Sequence, residues 1–245
     1  MDKPNRPKIK VVHMVLAPEW RADLPEDLWE SRMNSQQNSI SCWRGIASRF
    51  STYTEKYSFV NRTELPSENC AEPTILDSSK ELWRKPPALT YGHYGVYTAH
   101  RNAIVDEFTE DLDAILLIEG DTMFKVPSSE MADVVYNAYE FAKENGGMMV
   151  TFADVRYGWS SLAAEQDTSV DVGDYKIVDH FMPAYCYLVM ASERESLLEK
   201  INTSGWHSWD IWLYWNYDRK STLFATKEQY VFECSGSSMA DYTER

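Results

Sequence analysis

Glu119-Gly120-Asp121 is the segment of this 245-residue chain best suited to chemistry. Two acidic side chains separated by one residue can each aim an oxygen at a single point, and the glycine between them keeps the backbone close and free to turn. Hard oxygen donors of this kind, one or two to a site with phosphate oxygens and water completing the shell, suit Mg²⁺ or Mn²⁺. The same spacing recurs at Asp111/Asp113 and Glu193/Glu195, as an acidic chain allows, so position must decide. An apolar run over 114–118 stops abruptly at Glu119, the pattern of a central strand buried on both faces. Ligands of open α/β sheets bind beyond the carboxyl ends of strands. Glu119 and Asp121 fall there, whereas Asp111 and Asp113 precede the strand. The competing reading of the pair is a solvated acidic turn.

The elements that would position this pair follow from periodicity. Residues 9–16 read as a first buried strand, broken by Ala17-Pro18. A helix is expected over 39–50, a short strand over 57–61, and a loop over the Pro-, Ser- and charge-rich 64–87. Val96, Ala99, Ala103 and Ile104 recur at helical spacing within 95–108. After the acidic pair, Ser128 or Ser129 is expected to cap a helix with Met131, Val134, Val135, Ala138, Phe141 and Ala142 on one face, closed by Gly146-Gly147. A strand over 148–153 follows, and strand, helix, strand in that rhythm predicts an α/β fold with a mostly parallel central sheet. Further strands are expected at 176–181, 186–190 and 229–234, with helices at 192–200 and 210–217.

Bulk properties narrow the class. The length and 44% hydrophobic content fit one domain over 1–245, with a polar tail at 1–7. No apolar stretch approaches the roughly 20 residues of a membrane helix, and no secretion signal is evident, so a cytoplasmic protein is expected. Cys42, Cys70, Cys186 and Cys234 are scattered, with neither disulfide-scaffold nor zinc spacing. A formal net charge of −14 argues against nucleic acid as a partner. If the ligand is an anionic nucleotide, a bound cation or a few placed Arg and Lys must reverse the local field.

Leu116-Leu117-Ile118-Glu119-Gly120-Asp121 resembles the D-x-D motif of GT-A glycosyltransferases, in a variant with Glu first. Residues 92–103 look like the helix before that motif in small bacterial and phage enzymes, including those carried by cyanophages. Residues 181–188 are similar to the strand beside the sugar, and 209–212 to the segment carrying an acidic residue near the acceptor. The resemblance spans roughly residues 8–241. It implies a single-domain, Rossmann-like GT-A fold with a small antiparallel element, in the host cytoplasm if phage-encoded. It also implies Mn²⁺ or Mg²⁺ on Glu119 and Asp121 against the diphosphate of a sugar nucleotide, a UDP-sugar being favoured, with a carbohydrate or other hydroxyl acceptor. Many relatives add a His ligand near the C-terminus, but no His follows His207 here.

Asp210 is the candidate general base, because inverting transfer needs a carboxylate to take the acceptor hydroxyl's proton. It, or Ser208, could equally cap a helix. Arg101 could reach a phosphate or sugar hydroxyl through its planar fork, or lie on the surface. His93 and His100 could donate to phosphate or sugar, or be hydrogen-bonded in the core. By resemblance Ala184 and Tyr185 lie beside the sugar, while His13, Val15, Asn61 and Gly120 contact the nucleotide. Trp206, Trp209, Trp212, Tyr214, Trp215 and Tyr217 are dense enough that one or two, Trp209 first, could face an acceptor sugar while the rest build core. Ser235-Gly236-Ser237-Ser238 could meet a phosphate or form a turn. Two other functions compete: a non-catalytic carbohydrate-binding protein, and a metal-dependent nucleotidyltransferase. The latter would want a Gly-rich loop after the first strand, where Ala17-Pro18-Glu19-Trp20-Arg21 stands instead.

Overall fold

Stretches rich in Ile, Val and Leu form the centre of the molecule, and in the computed structural model they assemble an eight-stranded sheet. The structure describes residues 6–17, 26–58, 91–153, 170–178, 184–217 and 222–234. In chain order these form β1 (Ile9–Leu16), α1 (Glu26–Arg44), a 3-10 turn (Ala47–Arg49), β2 (Thr52–Ser58), α2 (Tyr91–Glu107), β3 (Ala114–Glu119), β4 (Thr122–Phe124) and α3 (Ser128–Glu144). There follow β5 (Met149–Thr151), β6 (Val170–Val172), β7 (Tyr175–Val178), β8 (Cys186–Met190), a second 3-10 turn (Ala191–Glu193), α4 (Arg194–Thr203), α5 (Trp209–Asn216), β9 (Leu223–Thr226) and β10 (Val231–Glu233).

The large sheet has the order β2-β1-β3-β8-β5-β9-β7-β6, and β10 pairs with β4 in a separate two-stranded sheet. The β1–β2, β1–β3 and β5–β9 pairs are parallel. The β3–β8, β5–β8, β7–β9 and β6–β7 pairs are antiparallel. The sheet is therefore mixed, with β8 running against both neighbours.

Period-two alternation sorts the core into two layers. Ile9 and Val11 of β1 and Ala114, Leu116 and Ile118 of β3 pack with Trp43 of α1 and Met131, Val135 and Ala138 of α3. Val12 and Met14 of β1 and Ile115 and Leu117 of β3 pack on the opposite face, with Ala103 and Ile104 of α2, Leu197 of α4 and Trp209 and Trp212 of α5. The result is helix, sheet, helix. Among the described residues no helix is long and apolar enough to cross a membrane.

Several boundaries differ from the sequence expectation. The helix expected over 39–50 begins at Glu26 and ends at Arg44, followed by the 3-10 turn. Its acidic first turn, Glu26 and Asp27, and Arg44 in its last turn complement the helix dipole. Neither Ser128 nor Ser129 caps α3. Pro127 holds that position with no side-chain cap hydrogen bond, and its ring suits the chain's turn into the helix. Gly146, at φ 66°, takes the left-handed conformation that ends α3. The short strands β4 and β6 and the four-residue β9 were not foreseen. The 64–87 loop and the Ser235–Ser238 segment lie outside the described residues.

Candidate active site

The acidic pair sits where the chain changes direction across the sheet. From β1 the chain passes through α1 to β2 on one side, and later returns through α2 to β3 on the other. Such a switch point leaves a crevice beyond the carboxyl ends of the two strands. At this edge Met14 stands level with Glu119. β8 begins at the same edge, with Cys186 opposite Ile118. The turn is fixed by its main chain: Glu119 N–H donates to Tyr185 O at 2.8 Å, and Cys234 N–H donates to Asp121 O at 2.9 Å. β4 starts directly after Asp121, and its pairing brings Glu233 opposite Thr122.

Alternation along β3 directs Glu119 toward the layer of α2 and α5. His100 Nε2 of α2 lies 3.0 Å from Glu119 Oε1. His100 Nδ1 lies 2.9 Å from the Tyr187 hydroxyl, which accepts from Trp209 Nε1 at 2.8 Å. The imidazole is 1% exposed and stacks on Trp209, with ring centroids 4.9 Å apart and planes 8° apart. Trp209 in turn stacks on Trp212 at 4.8 Å. Burial lowers the His100 pKa to about 3, so the ring is neutral near pH 7. When Glu119 is ionised, the consistent arrangement has Tyr187 donating to Nδ1 and Nε2–H donating to the carboxylate. When Glu119 carries a proton, the direction reverses and the ring holds its proton on Nδ1.

Asp121 belongs to the other layer. Arg32 Nη1 of α1 reaches its Oδ2 at 2.9 Å, with the two side chains 15% and 9% exposed. Arg32, Gln36, Ser39 and Trp43, at intervals of four, three and four, form one ridge of α1. Gln36 brackets the end of β1, accepting from Leu16 N–H at 2.7 Å and donating to Leu16 O at 3.0 Å. Ser39 Oγ and Trp43 Nε1 both donate to Thr122 O. Gly120 fits beneath this ridge: a Cβ there would lie 2.9 Å from Gln36 Oε1 and 2.9 Å from Met14 O. One helix from each layer thus holds one carboxylate of the pair.

Two further acids lie within electrostatic reach of the pair. Asp210, in the first turn of α5, accepts from Ala184 N–H at 2.9 Å. Its pKa is pushed up to about 7, first by burial and then by Glu119, with the Ala184 hydrogen bond opposing. Glu119 is raised to about 8 by burial and then by Asp121, with Arg32 opposing. Glu233 of β10 stays exposed; partial burial and then the charges of Glu119, Asp121 and Asp210 raise its pKa. These carboxyls resist being ionised together, and added positive charge would favour their ionised forms.

Other residues singled out in the sequence are placed as follows. His13 is fully buried between α1 and β2, with Ser39 Oγ 3.1 Å from its Nε2 and the Tyr53 hydroxyl 3.0 Å from its Nδ1; burial lowers its pKa to about 4. Val15, Ala184 and Tyr185 are buried at the same sheet edge as the pair. Trp209 is 1% exposed, so it supports the His100–Tyr187 chain from within the core. Ser208 precedes α5 without a side-chain cap hydrogen bond. Arg101, half-buried on α2, donates to Asn102 Oδ1 at 3.1 Å. His93 neighbours His207, whose pKa burial lowers to about 4. Asn61 lies outside the described residues. The structure therefore brings together Glu119, Gly120, Asp121, His100, Asp210 and the Ala184–Tyr185 main chain.

Sequence reasoning missed Arg32, Gln36, Ser39, Trp43, Tyr187 and Glu233. The helical spacing of the first four was the available signal, but that ridge is largely polar and apolar periodicity does not register it. Among the described residues no three His, Cys, Asp or Glu side chains converge as a ready-made metal cage. The oxygen-only donors Glu119 and Asp121 nonetheless fit Mg²⁺ or Mn²⁺ in the mode where one or two carboxylates hold the ion together with substrate phosphates. Comparison with protein-family models gave no match, and comparison with curated proteins gave none of significance.

Proposed function

We propose that this chain is a divalent-metal-dependent glycosyltransferase of the GT-A type, moving a sugar from a nucleoside-diphosphate sugar, with a UDP-sugar favoured, to an acceptor hydroxyl. The observation that carries the proposal is the Glu119/Asp121 pair at the carboxyl end of β3, held from opposite layers by His100 and Arg32 at the switch point of the sheet. The separate β4–β10 pair accords with the small antiparallel element that the resemblance implies.

Asp121 and Glu119 would hold Mn²⁺ or Mg²⁺. When bound, such an ion supplies Lewis-acid neutralisation of the charge that grows on the leaving diphosphate. His100 orients Glu119 by fixing Oε1. Asp210, oriented by the Ala184 N–H, would take the proton from the acceptor hydroxyl as that oxygen bonds to the anomeric carbon and the bond to the phosphate oxygen breaks. A pKa about 7 keeps a useful fraction of Asp210 ionised near neutrality. Trp206, Trp209 and Trp212 are buried, so the carbohydrate-binding alternative finds no sugar-facing surface on these three rings.

Thermal stabilisation tests this function, because a ligand that binds only the folded state raises its melting temperature. UDP, GDP, CMP and their sugar conjugates would be compared with and without Mn²⁺. A shift with UDP that requires Mn²⁺ and disappears in Asp121→Asn is expected. If no nucleotide shifts the wild-type protein under any condition, the glycosyltransferase reading is wrong.

A further inference from the structure

Arg32 is the outermost member of the α1 ridge that meets the acidic turn. Ser39 and Trp43 are 0% exposed and Gln36 is 7% exposed, while the Arg32 side chain keeps 15%. The inner three are tied to main-chain groups of Leu16 and Thr122. Arg32 instead holds the carboxylate of Asp121 at 2.9 Å. If Asp121 is a cation ligand, as the function proposed above requires, the guanidinium occupies the approach that the cation needs.

A divalent ion and a guanidinium on one carboxylate repel each other, so a bare cation must displace Arg32 or bind against its charge. A diphosphate changes the balance. It brings negative charge with the cation, and its oxygens match the planar fork of arginine in a bidentate geometry that lysine cannot reproduce. The guanidinium stands against Asp121, and its positive charge is also felt at Glu119 and Glu233. A phosphate arriving at the acidic turn would therefore lie within the field of this cation.

The geometry points to Arg32 as a diphosphate-binding residue that exchanges partners: it neutralises Asp121 in the ligand-free protein and transfers to phosphate oxygens when the metal and nucleoside diphosphate bind together. This inference rests on the metal-dependent reading and adds a consequence. Cation and diphosphate become coupled ligands, and the coupling is reciprocal. The bare cation binds weakly because Arg32 competes with it, and the diphosphate removes the competitor.

The test measures MnCl₂ affinity calorimetrically in the absence of nucleotide, and UDP affinity at saturating MnCl₂, for the wild type, Arg32→Met and Arg32→Lys. In Arg32→Met the affinity for MnCl₂ alone is expected to rise by about tenfold and that for UDP with Mn²⁺ to fall by about tenfold, within the usual range of coupling between ligands. Opposite signs are the decisive readout, because a merely structural ion pair would on removal loosen the site and weaken both. Should Arg32→Met fail to fold, Arg32→Lys carries the test. It keeps the charge and loses the fork, so UDP binding should weaken while MnCl₂ binding alone becomes no weaker. Unchanged or weaker MnCl₂ binding in Arg32→Met, with UDP binding still Mn²⁺-dependent, overturns the exchange and leaves the proposed function standing. No MnCl₂ binding by any of the three proteins, with or without UDP, overturns the metal reading and the exchange with it.

Discussion

At Gly120 an added Cβ would lie 2.9 Å from both the Met14 carbonyl oxygen and Gln36 Oε1, and the first of these is main chain within the sheet. The carbonyl cannot move without disturbing the β1–β3 ladder, and Gln36 cannot swing away without releasing both Leu16 hydrogen bonds. Gly120→Ala is therefore expected to lower stability by about 1–3 kcal/mol, the range for overpacking a filled site, read as a shifted urea midpoint. It should also displace the Glu119–Asp121 turn, so that Mn²⁺-dependent nucleotide stabilisation is lost at temperatures where the variant is still folded. An unchanged midpoint would mean that the turn has slack the distances do not allow. The sequence made the glycine legible as a place of close approach, but not what approaches it. The acidic pair was legible because it ends an apolar run. Arg32 was not, because a lone arginine in a polar segment carries no periodic signal and its partner lies far away along the chain.

The polar ridge of α1 explains the main misjudged boundary. Apolar spacing exposes a helix whose inner face is greasy, as in α3, where Met131, Val134, Val135 and Ala138 are buried. In α1 the face turned to the site presents Arg32, Gln36 and Ser39 before Trp43, so the first turns of the helix read as loop. β4, only three residues long, falls below what alternation can detect, and its pairing with β10 depends on residues more than a hundred positions away. The central strands were legible for the opposite reason: β1 and β3 are buried on both faces and need continuous apolar sequence. If the ridge is what clamps the turn, a small change within it should be felt. Trp43→Phe keeps a ring against Phe124, whose centroid lies 5.1 Å away, but removes the donor to Thr122 O. Ser39 still donates to that carbonyl, so the lost bond costs about 1 kcal/mol, and the space left by the fully buried indole adds to it, for a loss of about 2–3 kcal/mol in denaturant unfolding. A loss of only about 1 kcal/mol would mean that the core closes around the smaller ring.

Across the whole molecule the formal charge is −14, and at the end of β3 the acids Glu119 and Asp210 have raised pKa values. Their stability signature can be separated from that of the buried histidines by its sign. His13, His100 and His207 have folded pKa values of about 4, 3 and 4 against an ordinary 6.5. The unfolded chain therefore binds more protons at these rings, and their contribution makes stability rise with pH up to about 6.5 and then level off. Asp210, at about 7 against 3.8, and Glu119, at about 8 against 4.5, behave oppositely. The folded state retains protons that the unfolded state has released, so these groups lower stability as pH rises through 7 to 8. Below pH 6.5 the two contributions offset; above it the carboxyls act alone. The melting temperature of the ligand-free protein is thus expected to fall between pH 6.5 and about 8, and to fall less steeply in Asp210→Asn. Saturating Mn²⁺ with UDP should flatten the decline, because a bound cation favours the ionised carboxylates that the rising pH creates. Melting curves across this window in the three conditions check the prediction. A ligand-free melting temperature that holds level or rises would mean that Glu119 and Asp210 ionise without opposition from burial and neighbouring charge, and the acidic turn would then hold no excess negative charge for a cation to neutralise.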